Sequence, residues 1–97
     1  MQLYAIRRRD GWESPDALQT TAGISATEGD KPGSGVRWIR SYVLAETEGD
    51  LGTVCIYEAE SPETIRAHAQ RVGMPADEIT PVADTVVVRP DPVPAAA

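Results

Sequence analysis

The sequence predicts an α+β fold, with four strands in one antiparallel sheet and two helices on one of its faces. Three observations carry that expectation. Segments with strand and helix patterns follow in the order β-α-β-β-α-β. Two helix starts share one form, Ser14-Pro15-Asp16-Ala17-Leu18 and Ser61-Pro62-Glu63-Thr64-Ile65. They stand at corresponding places in the chain, so that it divides into two related β-α-β halves.

Residues 2–9 alternate as a strand does, with Leu3, Ala5 and Arg7 on one side and Tyr4, Ile6 and Arg8 on the other. Asp10-Gly11 is expected to end this strand, β1. The run Arg7-Arg8-Arg9 then reads as a strand end with solvated guanidinium groups. At the first helix start, Ser14 suits the N-cap, Pro15 the first turn, and Asp16 the positive helix end. Leu18, Ala22, Ser25 and Ala26 follow near helical spacing, while Gly23 weakens the helix, α1. Residues 28–35, EGDKPGSG, form a loop.

Residues 36–45 and 53–59 are rich in β-branched and aromatic side chains and read as β2 and β3. The acidic, glycine-bearing stretch 46–52 joins them as a hairpin loop. In α2, Ile65, Ala69 and Val72 form a narrow apolar stripe, and Gly73 and Pro75 mark its end. Residues 77–79 are expected to add a turn. TVVVR at 85–89 is expected to be β4. The domain would then span 1–90, with 91–97 a mobile Pro/Ala tail. This is the ferredoxin-like split arrangement, and right-handed crossovers leave few alternatives to it.

Grouping like with like places Ile39, Val43, Val54 and Ile56 beneath the helices. Trp38, Arg40, Tyr42, Cys55 and Tyr57 then share the bare face. So many rings on one face make a patch too apolar for water, which predicts a homodimer closed through that face. A chain of 97 residues, 41% hydrophobic, with two tryptophans, three tyrosines and no phenylalanine, has a modest core that a partner would extend.

A net charge of −6 argues against nucleic acid, which requires a basic surface. One cysteine gives no disulfide framework. No apolar run approaches the ~20 residues of a membrane span, and the N-terminus lacks the pattern of a signal peptide. A cytoplasmic protein with no membrane partner is expected.

Few residues carry chemistry. His68, the single histidine, lies about 60° from Ile65 around α2 and so at the edge of its stripe. There it suits either a hydrogen-bonded structural role or a metal or proton. Cys55, mid-strand, fits a small buried hydrophobe, and no CxxC, HxH or HxxxH pattern accompanies it. The expected register separates it from His68 across the sheet. Glu58, Glu60 and Glu63 gather near the start of α2, where carboxylates with an imidazole suit a borderline divalent ion such as nickel. GDKPGSG fits no phosphate-binding loop.

Several stretches together resemble a known family: Gly35-Val36-Arg37-Trp38, Arg40-Ser41-Tyr42-Val43, Cys55-Ile56-Tyr57-Glu58-Ala59, Ile65-Arg66-Ala67-His68-Ala69 and Gly73-Met74-Pro75-Ala76-Asp77. The chain is similar over about residues 4–90 to small bacterial proteins, mostly of unassigned function, with a characterised nickel-binding relative. The resemblance implies a ferredoxin-like fold, a dimer and nickel binding. This chain departs from it in its long acidic 46–52 loop and its single His and Cys. A multi-ligand site would need carboxylates, water or a second subunit.

The expectation is a cytoplasmic dimer that binds nickel, another divalent metal or a small ligand, without catalysis of its own. His68, Cys55 and Glu58 are the candidate metal donors. Trp38, Arg40, Tyr42 and Tyr57 are candidates for the dimer interface or a pocket. One alternative is an enzyme of the dimeric α+β-barrel kind, with Trp38, Arg40, Tyr42 and His68 around an organic substrate. A deep, partly apolar cavity between helices and sheet would favour it. A structural interaction module is the other alternative.

Overall fold

The two Ser-Pro-acid signals start helices where the sequence places them. In the computed structural model, which describes residues 1–76 and 78–92, α1 is Pro15–Gly29 and α2 is Pro62–Val72. Ser14 Oγ accepts from the Ala17 N–H and Ser61 Oγ from the Thr64 N–H, each at 3.2 Å, satisfying donors that have no partner within the helix. Gly73 ends α2 in the left-handed region at φ 85°, its N–H reaching Ala69 O at 2.8 Å.

The strands are β1 (Gln2–Trp12), β2 (Val36–Ala45), β3 (Leu51–Ala59) and β4 (Glu78–Pro81). They lie in the order β2-β3-β1-β4 with every neighbour antiparallel, which is the expected α+β, ferredoxin-like topology. Tyr4, Ile6, Cys55, Tyr57, Ala59, Val36 and Ile65 form the core between sheet and helices, with Ile79 packed beside them.

Four expectations change. First, β1 does not stop at Asp10-Gly11. Asp10 takes φ 49°, the register shifts, and the strand resumes to pair Trp12 with Leu51. Second, Arg8 is buried at 3% exposure, in line with Tyr4 and Ile6, rather than solvated. Arg7 pairs with Glu46, and Arg9, alone of the three in being exposed, with Glu78.

Third, the faces of β3 are reversed. Cys55 and Tyr57 lie beneath the helices, while Val54 and Ile56 face the other way, because the helix-covered residues of β1 oppose Tyr57, Cys55 and Thr53. A bulge at Ile39, between the pairs Trp38↔Tyr57 and Arg40↔Ile56, divides β2. Trp38 therefore stays with Tyr57 on the helix side, and Val43 is there too, opposite Thr53. Arg40 and Tyr42 take the open side, as expected. Fourth, β4 is Glu78–Pro81 and not 85–89. Ile79 pairs with Ile6 and fills the core edge, whereas Val86, Val87 and Val88 are exposed. Ile79 is thus in a strand rather than an added turn, and Asp77 lies outside the described residues.

Beyond β4 the chain reaches the opposite edge of the sheet, where Asp91 accepts from Tyr42 Oη and Arg40 on β2. Of the expected 91–97 tail, residues 93–97 lie outside the described residues. Among the described residues, no helix is long and apolar enough to cross a membrane.

Candidate functional site

A cleft of about 760 Å³ opens between α1 and the helix-covered face of β2 and β3. Its walls are largely apolar, with Leu18 and Ala22 from α1 facing Trp38, Val43 and Leu51 from the sheet. At its inner end it meets polar groups: Arg8 from β1, Ser25 from α1, and Thr53, Cys55 and Tyr57 from β3. Alternation places the last three on one face, since residues two apart in a strand point the same way.

Two polar chains run through this inner end. In the first, Arg8 donates from Nε to the Pro75 carbonyl and from Nη1 to Cys55 Sγ at 3.3 Å. The Cys55 thiol donates to Thr53 Oγ1 at 3.5 Å. In the second, Ser25 Oγ lies 2.9 Å from Tyr57 Oη and 3.1 Å from His68 Nε2. The Tyr57 ring stacks on Trp38 with centroids 6.1 Å apart and tilts against His68 at 5.8 Å.

His68 Nδ1 is buried without a partner among the described residues. The tautomer follows from the cost of that orphan, because an unpaired acceptor is tolerated better than an unpaired donor. Nε2–H therefore donates to Ser25 Oγ, which shares a further hydrogen bond with Tyr57 Oη that either hydroxyl can donate. Burial lowers the His68 pKa, helped by the positive charges of Arg71 and Arg8 and opposed by Glu28. Burial raises that of Tyr57, against its hydrogen bond with Ser25. Both side chains are thus held neutral near pH 7.

The candidate metal donors are divided by this geometry. His68 and Cys55 share one side of the sheet, contrary to the expected separation. His68 is committed to Ser25, however, and Cys55 stands against a guanidinium that would repel a dication. Glu58 projects from the other face, where it pairs with Arg37 at 3.5 Å. Among the described residues no group of three His, Cys, Asp or Glu side chains is placed to hold a metal ion. The described residues alone do not fit a nickel centre within one chain. The quartet of the enzyme alternative is likewise split, with Trp38 and His68 on the helix side and Arg40 and Tyr42 on the open side.

Sequence reasoning missed Arg8 and Ser25. The signal for Arg8 was its alternation with Tyr4 and Ile6. Ser25 was noted only as a small residue on the inner stripe of α1.

No curated protein matches the chain. The fold is similar to that in "Crystal structure analysis of SCO4226 from Streptomyces coelicolor A3(2)", at TM-score 0.65 and 22% identity, covering 87% of this chain and 99% of that one. At that identity the likeness speaks for the fold alone. The family model described as nickel responsive protein SCO4226-like matches residues 4–82. That match spans most of the sequence, and the chain belongs to the SCO4226-like family.

Proposed function

We propose that the chain is a small-ligand-binding protein, without catalysis of its own, whose site is the cleft beneath α1. One observation carries this reading: a space of about 760 Å³ with apolar walls and a few convergent polar groups, within the usual size of small-molecule sites. The cleft itself is what the enzyme alternative asked for. The Ser25–His68 contact also places a hydroxyl on an imidazole. Yet no acid orients Nδ1 among the described residues, and Ser25 is only 4% exposed. Binding asks less of these groups than acyl transfer does.

The test is a neutral, environment-sensitive dye such as N-phenyl-1-naphthylamine. Its emission should rise with the protein and not with Ala22→Trp, which fills the cleft from α1. No rise at protein concentrations up to about 1 mM would overturn the reading.

Membership of a family described as nickel responsive supports a second reading, binding of nickel or another divalent ion. In this reading the donors beyond His68, Cys55 and Glu58 come from surface carboxylates or from a second copy. Calorimetry with nickel on tag-free protein should then give heat. None at about 1 mM metal would sink it. Either reading is proposed for a homodimer in the cytoplasm.

A further inference from the structure

We infer that the cleft takes an amphipathic monocarboxylate, an apolar body with one anionic head, and that Arg8 is the countercharge for that head. The inference rests on the cleft reading above and names the ligand class. Arg8 is a buried cation at 3% exposure. Its hydrogen bonds are to the Pro75 carbonyl and to the Cys55 sulfur, which itself donates to Thr53 Oγ1. Among the described residues no carboxylate pairs with it, while Arg7 and Arg9 on either side pair with Glu46 and Glu78.

A buried charge without a counterion is costly, and such charges are found paired. Here the place where a counterion can arrive is the cleft that Arg8 lines. Tyr57 lines the same cleft, and with Ser25 donating to it the Tyr57 hydroxyl offers a second donor there. Two donors, one of them charged, select an acceptor-only head, which a carboxylate is. The apolar walls select the rest of the molecule. Polyanions and nucleotides are disfavoured, because Arg40, the other cationic residue along the cleft, commits its guanidinium to Asp91 at 3.4 Å on the open side of β2.

The experiment is competition against the bound naphthylamine dye at neutral pH by octanoate, octanamide and 1-octanol. Octanoate should displace the dye at a concentration about ten- to a hundredfold lower than either neutral isostere, the range expected of a charge-assisted hydrogen bond. Arg8→Met should remove that advantage, and Arg8→Lys should keep part of it. If dye binds and all three compounds compete alike, the carboxylate inference is overturned and the cleft reading stands. If neither dye nor octanoate binds, the dye by fluorescence and octanoate by calorimetry, both are overturned. Because the comparison of isosteres is made on the unsubstituted chain, a failure of Arg8→Met to fold would not blunt it.

Discussion

His68 shows how one buried side chain ties the site to the stability of the fold. Its imidazole is 1% exposed and its pKa is lowered from 6.5, chiefly by burial. The unfolded chain therefore takes up a proton as pH falls through about 6.5, while the native chain does not until a lower pH. The associated stability is complete above 6.5, is lost as pH falls toward the folded pKa, and changes no further below it. Stability from urea unfolding should thus fall as pH drops below about 6.5, by at most about 1.4 kcal/mol per pH unit from this group. His68→Gln should flatten that slope. Glu28, Glu46 and Glu78, whose pKa values are lowered from 4.5 chiefly by hydrogen bonds to Lys31, Arg7 and Arg9, lose their share only at lower pH. An unchanged slope in His68→Gln would show that His68 takes up its proton at the same pH in the folded and unfolded chains. Ser25→Ala, which deprives both Tyr57 and His68 of their shared partner, should cost about 1–3 kcal/mol in the same measurement at pH 7.5. These two residues also show why the site was only half legible in the sequence. Their separation is 43 positions, and nothing local in either helix announces the other.

At the scale of elements, legibility followed the range of the interactions that decide each one. The helix starts were readable because caps are local, a Ser hydroxyl acting on an amide three residues on. The same locality yields paired predictions of opposite sign. Gly23 lies within α1 with nothing near its missing Cβ, so Gly23→Ala should stabilise the fold by about 0.5–1 kcal/mol. Gly73 holds φ 85° at the end of α2, and Gly73→Ala should cost about 1–2 kcal/mol. Thermal melts of the two variants check both, and equal effects would contradict the helix-end assignment. The sheet was less readable. A bulge at Ile39 adds one residue to β2, and one residue reverses every face beyond it, which no alternation count foresees. β4 was misplaced for a related reason. TVVVR has the stronger strand propensity, but the place beside β1 goes to the segment that can set Ile79 against Ile6, and packing outweighs propensity there.

At the scale of the whole molecule, the core is small for the surface it must support. Ile6, Ile65 and His68 are the largest side chains fully buried among the described residues, and one of them is polar. Apolar surface meanwhile gathers along β2, where Trp38, Ile39, Tyr42 and Val43 are between 36% and 53% exposed. Among the described residues β2 is also an edge, paired only with β3, so its outer N–H and C=O groups face outward along ten residues. A long, apolar, unpaired edge is what a second copy of a chain covers. This moves the proposed dimer contact from the centre of the bare face, where Trp38, Tyr57 and Cys55 were expected, to the β2 edge and its two flanks. Ile39 and Val43 lie at the mouth of the cleft, so a copy docked there would also close the ligand site from outside. Sedimentation should accordingly give a dimer at micromolar concentration, and Val43→Lys should shift it toward monomer without lowering the thermal midpoint of the monomer. Loss of the dimer should also weaken the naphthylamine signal, because the cleft mouth then opens to water. A chain that sediments as a monomer and still binds the dye would detach the site from the interface and leave the β2 edge without its proposed partner.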